Sequence, residues 1–487
     1  MTAPGASTGV RAASTRLLDR MPLLRHVANL LGVSVASKFV PVASIFVYSR
    51  MMSVPDYGMV NLFASYLWIF AIALSLNLYT GLGRYVYRED ADIGSFLGTS
   101  LIALGTLYGI GTLVILAGLD RFATLLHLTP PLVLLMLVVV LGAIAESVFT
   151  QMAIFRRESG LLLRMMAGKA VASFSVGLAA LALMPEGSAK YYAVVGADAL
   201  ASALLTAYVL HRLRPDVRWT FRRDHLRYMA HYSLPLIPYM LSLTLLSQFD
   251  RVMIDQFFGK AATGLYSLAY NVGTLLLMVV TAVLNAQNPD FFDALNRKDY
   301  ARLQRDSDGV MALAALATAG LVLFGPALAA LVVPAKYFSA LDIIPAVAIS
   351  GFCMTTFQVW VRVLAYAHRT AVISVVATLA TVLKIGLNYA LLPSMGYKFA
   401  AITTAVSYGA MSWLSVVLVN RMVGLFHVSL RRDAVYLALL CAAAWAQTRI
   451  ELPAVLDVIA KVALLAAFFW AIKPRLRLLA GARPAAA

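Results

Sequence analysis

The sequence predicts an all-α polytopic membrane protein of about fourteen transmembrane helices, and three observations predict it. Of its 487 residues, 61% are hydrophobic and 13% charged, where soluble domains carry about 25% charged residues. Apolar runs of about 20 residues, the length that crosses hydrocarbon as a helix, recur from one end of the chain to the other. The Lys and Arg between those runs fall unevenly on alternate loops, 27 on one side and 7 on the other.

Taken in order, the apolar runs place spans at about 27–48, 59–82, 93–118, 131–153, 162–183, 191–210, 233–257, 264–285, 309–333, 341–365, 370–391, 398–420, 433–449 and 453–472. The last two are joined by Ile450-Glu451-Leu452 alone and form one hairpin. Arg11, Arg16, Arg20 and Arg25 precede the first run, and no small-residue cleavage site follows it. That run therefore reads as a retained helix and not as a signal peptide. Cys353 and Cys441 both fall in apolar helices and set up no disulfide framework.

Excess Lys and Arg mark the cytoplasmic side, so both termini are expected inside. The same rule accounts for the net charge of +17 without nucleic acid as a partner. Loops are short, and no soluble domain is expected. The longest, at 211–232 and 286–308, are charged and partly helical in pattern.

A faint repeat runs through the chain. Arg50-Met51-Met52-Ser53-Val54-Pro55-Asp56-Tyr57-Gly58 joins the first two spans, and Gln256-Phe257-Phe258-Gly259-Lys260-Ala261-Ala262-Thr263-Gly264 joins the seventh and eighth, 206 residues later. Six spans restore the same orientation. Two halves related in this way around a central cavity form a transporter architecture. The seventh span is unusual in placing Gln248-Phe249-Asp250-Arg251 and Asp255 deep in hydrocarbon, where each charge costs roughly 2.5–3.5 kcal/mol on insertion scales.

Three stretches resemble the Wzx-like oligosaccharide and polysaccharide flippases of the MATE-related superfamily. They are Asn29-Leu30-Leu31-Gly32 with Ser49-Arg50 and Pro55-Asp56-Tyr57-Gly58; Tyr232-Ser233-Leu234-Pro235 through Gln248-Phe249-Asp250-Arg251; and Gly264-Leu265-Tyr266-Ser267-Leu268-Ala269-Tyr270 through Asn288-Pro289. The resemblance implies two six-helix lobes around a central cavity, an added C-terminal helix pair, and export of an undecaprenyl-diphosphate-linked oligosaccharide across the bacterial inner membrane. Applied to this chain, it gives a cytoplasmic N-terminus at 1–26, an N-lobe at 27–210, a basic linker at 211–232, a C-lobe at 233–420, the helix pair at 421–473 and a tail at 474–487. Membrane lipids, a polysaccharide polymerase and export machinery are its implied partners.

A diphosphate crossing hydrocarbon calls for fixed cations. Lys38, Lys169, Arg251 and Lys384 are the intramembrane cations expected to face it, Lys as a point charge and Arg as a bidentate fork. The competing expectation is bridging to acids: Lys38, Lys169 and Lys384 to Glu146 or Asp198, and Arg251 to Asp255 one turn on. Lys461 and Asp457, four residues apart, read as a structural pair, and Arg362 as a snorkelling helix-end cation. Glu146 and Asp250 are the candidates for coupling to an H+ or Na+ gradient. Tyr239, Gln358 and Asn388 are candidates for sugar hydroxyls, with helix–helix hydrogen bonding as the other role.

No cofactor is expected. Gly168-Lys169 lacks the rest of a phosphate-binding loop, and the seven histidines show no metal spacing. Three alternatives stand beside the flippase. A lipid II flippase shares its chemistry. A cation-coupled drug antiporter would favour acids over the six intramembrane Lys and Arg. A membrane polysaccharide polymerase would need a larger outside loop, so no enzyme is expected.

Overall fold

In a computed structural model the chain folds into helices joined by short turns, with no strand among the described residues. The structure describes residue 40 and residues 42–86, 88, 91–423, 427–428, 431–449 and 453–480. Lys38 and most of the expected first span lie outside them. The chain packs as two compact units.

The first unit contains described residues from 73–188 and 192–234. Its helices are α3 (Tyr79–Tyr85), α4 (Ile93–Ala117), α5 (Leu119–Leu125), α6 (Pro130–Phe155), α7 (Ser159–Leu183), α8 (Tyr191–Leu213) and α9 (Arg223–Ser233). Asp92 caps α4 by accepting from the Ser95 amide at 3.2 Å. Two prolines open α6, where no amide donor is needed. The basic linker is partly helical, as its pattern predicts. His225, Met229 and Ser233 recur at one face of α9 and are buried, which seats the linker against α3 and α4. Tyr85 stacks on Phe96 there at 3.8 Å between ring centroids.

The second unit contains described residues from 45–72, 189–191 and 235–480. It holds most of α1 (Val42–Met51) and of α2 (Val54–Ser75). It continues with α10 (Ile237–Gly273), α11 (Leu275–Asn296), α12 (Tyr300–Val332), α13 (Ile344–Tyr366), α14 (Thr370–Met395), α15 (Phe399–Leu418), α16 (Arg431–Arg449) and α17 (Ala454–Ala480). The packed core lies between α12, α13, α14 and α15, and α16 and α17 lean on α12. Lys461 and Asp457 pair at 2.8 Å on α17, as their spacing predicts. Arg50, Lys190 and Lys336 donate to the carbonyls of Val332, Met51 and Met52, satisfying helix-end acceptors that have no partner within their own helix.

Among the described residues, eleven helices are long and apolar enough to cross a membrane. The expected count was about fourteen; most of the expected first span lies outside the described residues, and the rest of the difference has local causes. The expected seventh and eighth spans run on as α10, broken at Gly259, whose φ of 78° suits glycine. The eighth span is itself interrupted at Thr274, and its second half continues as α11, which carries Pro289, Asp290 and Asp293. The helix α16 begins with Arg431, Arg432 and Asp433 and ends at Arg449, which lowers its apolar content.

The repeat has a physical counterpart in this unit. Gly58 and Gly264 hold equivalent repeat positions, as do Val54 and Lys260. A Cβ on Gly58 would stand 2.1 Å from the Lys260 carbonyl oxygen, and one on Gly264 would stand 2.1 Å from that of Val54. The contact is reciprocal, the mark of a local two-fold relation. The absence of side chains at these two positions lets the backbones touch.

Candidate functional site

Two of the three buried charges of the seventh span, Asp250 and Arg251, sit in adjoining networks within the second unit. The first surrounds Asp250. Leu246 and Asp250 are one turn apart on α10, Lys384 and Asn388 one turn apart on α14, and Thr404 and Tyr408 one turn apart on α15, so each pair shares a face. Asp250 Oδ2 accepts from Lys384 Nζ at 2.7 Å, from the Tyr266 hydroxyl at 2.8 Å and from the Thr404 hydroxyl at 2.9 Å. Its Oδ1 accepts from the Asn388 side-chain amide at 2.8 Å. Lys384 Nζ also donates to the Leu246 carbonyl, and the Thr403 hydroxyl donates to Asn388 Oδ1. Asp250 is 0% and Lys384 1% exposed. The pair is dry and saturated with hydrogen bonds, the condition under which buried ions are tolerated.

The second network surrounds Arg251, which is 4% exposed. Its Nη1 donates to the Ser247 carbonyl at 3.2 Å and to Gln248 Oε1 at 3.0 Å, and its Nη2 to Asn271 Oδ1 at 3.1 Å. The Asn271 amide donates on to the Tyr57 hydroxyl at 3.2 Å and to Asn61 Oδ1 at 3.1 Å. The Ser65 hydroxyl reaches Gln248 Oε1 at 3.4 Å. Tyr57, Asn61 and Ser65 recur every four residues and form a polar stripe on α2. The Tyr270 ring lies 4.8 Å from the guanidinium carbon, a cation–π contact.

Among the described residues every partner of Arg251 is neutral, and its Nε is buried with no acceptor. The bridge to Asp255 does not form. Helical side chains lean toward the N-terminus, so Arg251 reaches back to Ser247 and Gln248. Asp255 pairs instead with Lys260, beyond the break at Gly259, at 2.7 Å. Arg362 likewise has neutral hydrogen-bond partners. It donates to Asn288 Oδ1 at 3.0 Å and lies 3.9 Å from the Phe291 ring centroid.

The first unit holds the remaining predicted pair. Lys169 on α7 donates to Glu146 Oε2 on α6 at 3.0 Å, with both side chains about a fifth exposed. Of the predicted residues, the structure thus joins Asp250, Lys384 and Asn388, and separately joins Lys169 and Glu146. Tyr239 packs against the second unit's core, and Gln358 is half-buried on α13. Tyr266, Thr404, Tyr57, Asn61 and Asn271 were not anticipated as site residues. For Tyr57 and Tyr266 a signal was present, since both fall in the stretches that carry the family resemblance.

The described residues form helical units, eleven of their helices long and apolar enough to cross a membrane, with charges buried inside one unit. The chain belongs to the polysaccharide biosynthesis protein family, whose profile matches residues 47–341. It resembles a lipid II flippase, MurJ, in an inward closed conformation, with TM-score 0.62, 12% identity, and coverage of 91% of this chain and 99% of that one. It resembles an inward-facing multidrug resistance MATE family transporter of the MOP superfamily with TM-score 0.59, 14% identity, and coverage of 84% and 99%. An outward-facing MATE transporter matches with TM-score 0.51, 13% identity, and coverage of 86% and 96%. These likenesses concern the fold. No curated protein matches the chain in sequence.

Proposed function

We propose that this protein translocates an undecaprenyl-diphosphate-linked oligosaccharide across the bacterial inner membrane, by alternating access, for assembly of a surface polysaccharide. Both termini are read as cytoplasmic from the loop charges. A polysaccharide polymerase and export machinery are the expected downstream partners.

The observation that carries the reading is Arg251, a guanidinium buried in a membrane span and held, among the described residues, by neutral groups. A desolvated cation without a counter-ion is costly. A diphosphate is a counter-ion that a guanidinium fork can grip with two parallel bonds. The amide and hydroxyl stripe of Tyr57, Asn61, Gln248 and Asn271 beside it offers neutral donors to phosphate or sugar oxygens. Lys384 is locked in a buried pair with Asp250, so within the second unit the headgroup contact centres on Arg251. Lys38, if it contributes, does so from outside the described residues.

The same pairs bear on energy coupling. Asp250 and Glu146, the two carboxylates the sequence offers for H+ or Na+ coupling, each hold a lysine ammonium. A tethered cation at each acid favours a cycle in which neither acid binds a small ion. The fit of a buried arginine to an anion also favours a lipid diphosphate over a cationic drug.

The test is flipping in reconstituted vesicles. Labelled lipid-linked oligosaccharide, lipid II and a cationic dye would be offered in parallel. Movement of the first confirms the reading, movement of lipid II alone moves the assignment to cell-wall precursor, and movement of the dye alone ends it.

A further inference from the structure

The first unit carries a basic groove that the Arg251 site leaves unexplained. A groove of about 390 Å3 runs between α7 and α8, walled by Leu161, Met165, Leu204 and Leu205, and lined by Arg164 and Lys169. Gly168 opens its floor, since a Cβ there would meet nothing within 4 Å. The helix α7 is long enough to cross a membrane, yet only 11% of its apolar window is buried. Arg164 donates to the Gly160 carbonyl at 3.2 Å. No described carboxylate pairs with it.

The two cations stand at different depths. The helix α7 starts just after Arg156 and Arg157, on the side read as cytoplasmic. At 1.5 Å per residue, Lys169 lies about 7.5 Å deeper than Arg164 and about 15 Å along the helix, roughly halfway through a ~30 Å hydrocarbon layer. The headgroup of a resident phospholipid stays at the interface, where Arg164 alone would serve it. A cation halfway across serves a phosphate that travels inward.

We propose that the α7–α8 groove admits the diphosphate of a prenyl-linked lipid from the cytoplasmic leaflet, with Arg164 as the first contact and Lys169 as the second. Lys169 exchanges Glu146 for phosphate when the headgroup arrives. The apolar walls, open to hydrocarbon, lie along the prenyl chain. This inference rests on the flippase reading and adds an entry site to it.

The test uses the full-length protein in neutral phosphatidylcholine nanodiscs and a photoreactive polyprenyl diphosphate as probe. Label is expected on the 161–172 peptide. Excess unlabelled prenyl diphosphate displaces it and phosphatidylglycerol does not. Arg164→Gln is expected to reduce it about tenfold, the loss for a charge-assisted contact. Lys169→Met combined with Glu146→Gln removes the deeper cation together with the carboxylate it pairs with, and is expected to give a similar loss. Label unchanged in both variants, or displaced equally by phosphatidylglycerol, overturns the proposal. Wild-type flipping with no label in the groove overturns the entry site and spares the transport reading. Label in the groove with no flipping supports the site and overturns the transport reading.

Discussion

Lys384→Met is the perturbation with the clearest expected size. It removes the ammonium 2.7 Å from Asp250 Oδ2 and leaves the carboxylate, 0% exposed, with the neutral donors Tyr266, Thr404 and Asn388. Breaking a buried pair from one side costs about 3–5 kcal/mol, because a charge stays behind in low dielectric. Replacing both partners is often close to neutral, so Lys384→Met with Asp250→Asn should lie within about 1 kcal/mol of wild type. The double variant should therefore be about 2–4 kcal/mol more stable than Lys384→Met alone. Unfolding in mild detergent can be followed by dye labelling of the buried thiol Cys353, in a background where the exposed Cys441 is replaced by Ser. Additive losses, or a cost under about 1 kcal/mol for the single variant, would refute a dry pair. Flipping by the double variant then separates the roles. Activity near wild type fits a structural pair, and a stable but inactive double variant would return Lys384 to the substrate.

Other expectations follow from the same geometry. Gly58→Ala puts a Cβ 2.1 Å from the Lys260 carbonyl oxygen, so the helices must part, at a cost of about 1–3 kcal/mol read as a lower unfolding midpoint. Arg251→Lys keeps the charge and loses the fork; flipping should fall less than in Arg251→Gln, and equal rates in the two variants would deny the fork a role. In the first unit, Glu146→Gln should cost less than Lys384→Met, because its pair with Lys169 is about a fifth exposed and water can shield what remains. The same unfolding assay ranks the two.

The fold was largely legible because apolar length and loop charge are read along the chain. The turn at Gly259 was legible for the same reason, as a glycine between two apolar runs. The interruption at Thr274 carries no such mark, and the eighth span read as continuous. The site was legible in part. Spacing singled out Asp250, Arg251, Lys384 and Asn388 as charges or amides that hydrocarbon would not leave idle. It could not pair Asp250 with Asn388, 138 residues away, because helical periodicity gives a face and not the neighbour across it. It also offered Asp255 to Arg251 by four-residue spacing alone, where side-chain lean and the Gly259 break send the two to different partners.

The most direct measurement is flipping of a prenyl-diphosphate-linked saccharide by vesicles carrying wild type or Arg251→Gln, at matched insertion and matched unfolding midpoints. The account predicts a rate at least about tenfold lower in the variant, the worth of one charge-assisted bond to phosphate. An unchanged rate would contradict it, because the headgroup would then cross without meeting the one buried arginine of the seventh span.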